Sequence, residues 1–127
     1  MIPKFRAYDG GSLCRMYSPE EVMVGNGDIW IIDEDGVAGE WIVNNDLVLM
    51  QSTGLTDKNG KEIFEGDVVK MAKNVYSEPT YYEVVRHRGG AYRLESKQYG
   101  CELWLRHTDC EIAGDIYENP ELVGVSS

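Results

Sequence analysis

Cys101, His107 and Cys110 are the residues whose types come nearest to a metal-binding set. Zinc is held by thiolates and neutral imidazoles that converge on one point, usually as a closed quartet in a structural site. The spacing His107-x-x-Cys110 suits two such ligands, but a fourth would have to be the distant Cys14 or His87. Cysteine also packs readily as a small apolar side chain, so the expectation is structural thiols with no metal and no cofactor. Asp33, Asp35 and Gly36 begin like a calcium loop and then lack the rest of its ligand series. Glu65, Asp67, His87 and His107 offer acid–base groups, yet no spacing singles out a pair that would work together. The chain has no phosphate loop with its lysine, no dinucleotide fingerprint, no nucleophile elbow and no zinc helix. Gly10-Gly11 and Gly89-Gly90 read as strand reversals, where glycine supplies the backbone freedom. No catalytic residue is assigned, and a small enzyme or metal protein is the weakest of the functional alternatives.

A binding surface is better supported. Residues 86–107 carry Arg86, Arg88, Arg93, Lys97 and Arg106 against Glu95 and Glu102, a local balance of +3 in a chain of net charge −10. Arg86, Arg88, Arg93 and Arg106, with Trp104 among them, form the candidate partner-binding face. Guanidinium groups pair with carboxylates, and an exposed indole stacks or fills an apolar hollow. The plainer alternative is a solvated face whose arginine stems cover apolar surface. Protein binding is the leading reading, and nucleic-acid binding through the same face is the second. The whole-chain charge opposes the second, because distributed acids repel phosphate. Residues 1–58 carry −6 and residues 59–127 carry −4, so neither half is basic. The same field opposes binding to an anionic membrane surface. Trp30 and Trp41 belong either to a core between lobes or to an oligomer interface.

These residues need a frame. A chain of 127 residues with 43% hydrophobic and 27% charged side chains has a globular composition. The three cysteines are an odd number without framework spacing, and the opening residues lack an apolar signal core. No apolar run is long enough to span a bilayer. Reduced thiols and a cytoplasmic setting are expected.

The pattern along the chain is β. Lys4-Phe5-Arg6-Ala7-Tyr8 alternates, turns at Asp9-Gly10-Gly11 and returns as Leu13 to Tyr17. Ser18 with Glu21 marks a helix start that Gly25 and Gly27 cut to a single turn at most. Asp28–Ile32 is a strand, with a turn at Asp33 to Gly36 and a partner in Val37 to Val43; Leu47–Met50 follows. Such close spacing favours a meander, since parallel crossovers need longer connections. The polar stretch Thr53 to Lys61, with its Asn59-Gly60 turn, places an internal boundary between a β-rich lobe, 1–58, and a barrel lobe with its tail, 59–127. In the second lobe Glu65-Gly66-Asp67 opens a strand Asp67–Ala72. Tyr81 to Arg88 and Ala91 to Lys97 pair around Gly89-Gly90, and Cys101 to His107 and Glu111 to Ile116 supply the rest. A two-residue loop at Gly89-Gly90 puts Val85, His87, Tyr92 and Leu94 on the core face. Val84, Arg86, Arg88, Arg93 and Glu95 then share the other, while Cys101, Leu103 and Leu105 point inward.

Three segments in order resemble the YopX family of phage and prophage proteins. They are Lys4-Phe5-Arg6-Ala7-Tyr8-Asp9 with Met16-Tyr17, the long run from Leu49 through Thr53-Gly54-Leu55-Thr56-Asp57 and Glu65-Gly66-Asp67 to Val69, and Gly114-Asp115-Ile116-Tyr117-Glu118-Asn119-Pro120. Tyr8 stands where relatives often carry tryptophan, and Ser52 where they often carry an aromatic. The resemblance implies a mainly β fold with an N-terminal β-rich lobe and an SH3-like barrel lobe. It also implies a phage or prophage origin and self-association, with a phage or host protein as a further partner. It supplies no catalytic set to carry over, and the function it implies is that of an accessory or regulatory protein.

Overall fold

The computed structural model describes residues 4–11, 14–32, 40–72, 74, 76–87, 90–96 and 100–123. The fold is mainly β, in three antiparallel sheets of four, five and three strands. Two compact units divide the chain, Met1–Gln51 and Ser52–Ser127, and the strand Val48–Thr56 runs from one into the other.

In the first unit the alternation of Phe5 to Tyr8 becomes β1 (Phe5–Asp9), which pairs with β2 (Arg15–Tyr17) on one side and β6 (Val48–Thr56) on the other. The Asp9 carboxylate accepts a hydrogen bond from the Gly11 N–H at 2.9 Å, which closes the reversal between β1 and β2. Ser18 leads into a single 3₁₀ turn, Pro19–Glu21, and the Glu21 carboxylate accepts from the Ser18 N–H at 3.0 Å. Val22–Gly25, unassigned by the sequence reading, forms β3. With β4 (Asp28–Ile32) and β5 (Trp41–Val43) it makes a meander. Asn26 and Gly27 both hold positive φ, 54° and 79°, as the tight two-residue hairpin turn requires. Ala7, Tyr17, Val22, Ile31 and Leu47 form this unit's core. The expected turn at Asp33 to Gly36 and the first part of the expected Val37 to Val43 strand lie outside the described residues.

The second unit begins with a correction. Thr53–Thr56, expected within a polar connection, is strand, because the second half of β6 pairs with β7 (Glu62–Phe64). Thr53 Oγ1 donates to the Ile63 carbonyl at 2.7 Å, so its hydroxyl is satisfied within the pair. The reversal itself lies at residues 57–61, with Gly60 at φ +81°. Gly66, at φ +88°, opens β8 (Asp67–Ala72), and the buried Asp67 carboxylate accepts the Phe64 N–H at 2.8 Å. β8 sits between β9 (Pro79–Arg86) and β12 (Glu111–Asp115). The sheet continues through β10 (Tyr92–Glu95) to β11 (Gly100–Glu102). Its core holds Ile63, Val69, Met71, Tyr82, Val84, Leu94, Leu103 and Cys110.

Two expectations in this unit are overturned. Arg86 opposes Tyr92 and Val84 opposes Leu94, one residue out of the expected register. The loop closes between His87 and Ala91, whose N–H and carbonyl bond at 2.8 Å, and Gly90 takes φ +84°. A loop one residue longer than two, ended by a left-handed glycine, shifts every pair down the ladder. Val84 therefore replaces Val85 on the core face. Secondly, β11 ends at Glu102, and Leu103–Arg106 is one turn of helix, α1, followed by a 3₁₀ turn at His107–Asp109. Leu103 is buried but Leu105 is exposed, as helical rather than alternating rotation dictates.

Candidate partner-binding surface

The corrected register disperses the expected basic face. Arg86 stands on the side of Val84 and Leu94, beyond the core, facing Tyr92. Burial pushes the Tyr92 phenol up, aided by the charge of Glu65 and opposed by that of Arg86. Arg93 lies on the other side, opposite Val85, where it bonds to Glu102 and stands 3.6 Å from Glu95. Glu95 in turn meets His87 Nε2 at 2.8 Å. Arg88 lies outside the described residues.

Trp104 and Arg106 are placed by α1. Leu103 anchors that turn in the core, and the His107 N–H bonds to the Leu103 carbonyl. Arg106 bends back: Nη2 donates to the Ala72 carbonyl at 2.9 Å and Nε to Asp109 at 3.0 Å. Its charge is spent on fixing the turn against the end of β8. Trp104 is left 64% exposed and Leu105 57% exposed, side by side on the fixed turn. Alternation placed Trp104 on the outside, where it stands, and assigned Leu105 to the interior, where it does not.

The cysteine and histidine set does something else. His107 Nδ1 donates to the Thr56 carbonyl at 2.7 Å, which places the proton on that nitrogen. The Cys110 thiol donates to the His107 carbonyl at 3.2 Å, and burial, with the nearby Asp57 charge, pushes its pKa up to about 12. A thiol held protonated is a poor ligand and a poor nucleophile. Burial also pushes the Cys101 thiol up, against the charges of Arg106 and Arg93. Among the described residues no three His, Cys, Asp or Glu side chains gather as metal ligands, and no helix is long and apolar enough to cross a membrane. Asp67, His87 and His107 engage the Phe64 N–H, Glu95 and the Thr56 carbonyl respectively, not one another.

Two further features carry no motif. Asp57 is buried, with Oδ1 accepting the Asn59 and Lys61 N–H groups and Oδ2 accepting the Ile112 N–H, each at 2.9 Å. Burial opposes its ionisation, but these donors and the Lys61 charge together hold its pKa below the usual carboxylate range. A groove of about 300 Å³ is lined by Lys58, Lys70, Ala72, Pro79, Asp109 and Glu111 among others. Its cations and acids balance, and Lys58 stands 3.8 Å from Glu111. Nothing in the sequence joins Lys58 to Lys70; the pairing of β8 with β12 sets Lys70 opposite Glu111, and the Lys58 N–H bonds to the Cys110 carbonyl beside it at 2.9 Å.

The family model described as YopX protein matches residues 4–124. The chain belongs to the YopX family. Among solved structures, it is similar to the YopX-family protein yopX from Bacillus subtilis, at 21% identity and a TM-score of 0.64 over 94% of this chain and 96% of that one. It is also similar to protein EF1440 from Enterococcus faecalis, at 29% identity and a TM-score of 0.63 over 97% of this chain and 99% of that one. No functionally curated protein is similar enough to match. The YopX likeness thus extends over nearly the full length of these chains and covers Arg86, Trp104, Leu105 and Arg106.

Proposed function

We propose that this YopX-family chain is a non-catalytic, phage-derived accessory or regulatory protein that acts in the host cytoplasm by binding protein. Its second unit is read as an SH3-like barrel lobe, a reading supported by the antiparallel order β11-β10-β9-β8-β12. The observation that carries the functional reading is the exposed Trp104–Leu105 pair on a turn pinned by Leu103 and Arg106. A rigid aromatic and an aliphatic side chain presented together are the composition of an interface hot spot, because they bury large apolar area at little entropic cost. Arg86 supplies a flanking charge. Arg93 and Arg106 serve by positioning, each already engaged by an acid of its own unit. That engagement weakens the nucleic-acid alternative, which needs cations available to phosphate.

Self-association is the first form of binding to test. Sedimentation velocity over a concentration series is expected to show assembly of the wild-type chain and at least a tenfold weaker assembly of Trp104→Ala, with thermal unfolding unchanged. Equal assembly of the two proteins would remove Trp104 from the contact and this reading with it.

A further inference from the structure

The three-stranded sheet of the first unit is apolar on both faces. Val22, Ile31 and Ile42 form one cross-strand row, in which Val22 and Ile31 belong to the core while Ile42, on the edge strand, is 43% exposed. Met23, Trp30 and Val43 form the next row, on the opposite face, where Met23 and Val43 are 47% and 44% exposed. Ile32 and Trp41 extend that outer face. A sheet needs only one apolar face to fold against a core; the second is left for another contact.

One margin of this sheet is β5, which among the described residues pairs with β4 alone. The Asn44 N–H donates to the Ile29 carbonyl at 2.8 Å. Backbone groups alternate in direction along an antiparallel strand, so Ile42 also points its N–H and carbonyl at β4, while Trp41 and Val43 point theirs outward. Edge strands are normally blunted by lysine, proline or a bulge. Trp41-Ile42-Val43 has none of these. Acids stand at both ends instead. Glu40 is exposed before Trp41, and Asp46 is exposed after Val43. Asp28 is held there too, its Oδ1 accepting from Asn45 Nδ2 at 2.9 Å while Asn45 Oδ1 accepts the Ile29 N–H.

We infer that β5 is a docking edge for an extended segment of another protein, apolar at alternate positions and flanked at both ends by lysine or arginine. Such a segment adds a fourth strand. Its backbone takes up the outward groups of Trp41 and Val43, and its alternate side chains continue the row Met23–Trp30–Val43. Its basic flanks meet Glu40 at one end and Asp28 and Asp46 at the other. The charges argue against a second copy as the occupant: copies of a chain at −10 would bring these acids together. This surface lies in the first unit and does not depend on Trp104.

The test uses the full chain and two synthetic peptides that alternate isoleucine and threonine, one flanked by lysine pairs and the other by glutamate pairs. The lysine-flanked peptide is expected to bind at least tenfold more tightly by calorimetry, and to slow amide hydrogen exchange at Trp41 and Val43 while leaving Ile42 unchanged. Glu40→Lys combined with Asp46→Lys changes exposed residues only and is expected to invert the preference between the peptides. Val43→Pro deletes an outward donor and is expected to abolish the exchange effect; its melting temperature separates that loss from unfolding. Trp104→Ala is expected to bind the lysine-flanked peptide as the wild type does, so this edge and the Trp104 contact fail separately. Equal binding of both peptides, or binding without protection at Trp41 and Val43, overturns the inference. So does concentration-dependent protection of those amides without peptide, which would assign the edge to a second copy.

Discussion

Two carboxylates show how one functional group acquires opposite roles from its surroundings. Asp57 is buried yet ionised, because the N–H groups of Asn59, Lys61 and Ile112 converge on it. It therefore ties the 57–61 reversal to β12. Its folded pKa lies below its unfolded one, so the unfolded chain takes up the proton first as pH falls. The resulting stability is complete above the ordinary aspartate value of about 3.9 and is lost as pH falls through the depressed folded value. Asp57→Asn turns an amide donor toward one of these N–H groups and is expected to cost about 1–3 kcal/mol at neutral pH. Urea unfolding across the acid range is expected to show a flatter pH dependence for the variant; an unchanged acid limb would sink the assignment. Glu83 has the reverse sign. Partial burial, then the charge of Glu95 directly across the ladder, raises its pKa. Its contribution favours folding below the unfolded glutamate value and is lost as pH rises through the folded one. Glu83→Gln is thus expected to stabilise the chain at neutral pH by about 0.2–1 kcal/mol, the scale of a cross-strand pair. The gain should vanish on acidification, and a loss of stability at neutral pH would contradict this account.

At the scale of the element, α1 separates two readings of one stretch of sequence. Alternation through Cys101, Leu103 and Leu105 is a sound strand signal, and it holds as far as Glu102. The chain then coils because Leu103 reaches the core and Arg106 captures the Ala72 carbonyl, a contact across 34 residues that no local pattern contains. Leu103→Ala is expected to cost about 2–5 kcal/mol by chemical denaturation, as a core truncation does. Leu105→Ala is expected to stay within about 0.5 kcal/mol, as a surface change does. A strand would make the two costs alike, so comparable values would refute the helical turn. The same limit explains the β9–β10 register. Alternation identified Leu94 as a core residue, but the choice between Val84 and Val85 depended on loop length, and Gly89-Gly90 looks like a complete two-residue turn when read alone. Legible in advance were features decided locally: β8 starting at Gly66-Asp67, the strand Asp28–Ile32, and the Asn59-Gly60 reversal. Asp57 as an anchor was illegible, because Ile112 joins it from 55 residues away.

The whole molecule carries a field that decides how any two copies meet. At −10, with acids in excess in both halves, copies repel at long range. Three of the basic residues that might have relieved this locally are occupied: Arg93 by Glu102, Arg106 by Asp109, and Arg15 by Glu21. Association through Trp104 and Leu105 must therefore be driven by apolar burial working against electrostatic repulsion. Salt shortens the reach of repulsion, from about 10 Å at 0.1 M to about 3 Å at 1 M, and leaves apolar burial in place. Self-association measured by sedimentation is accordingly expected to strengthen as salt rises through that range, and Trp104→Ala to lose most of the gain. Phosphate binding has the opposite dependence, since released counterions favour it only at low salt. The lysine-flanked peptide, held partly by Glu40 and Asp46, should also weaken as salt rises. The sign of the salt slope thus separates the apolar self-contact from the two electrostatic ones, and assembly that weakened with salt would mean that ion pairs, rather than the exposed indole, hold the copies together.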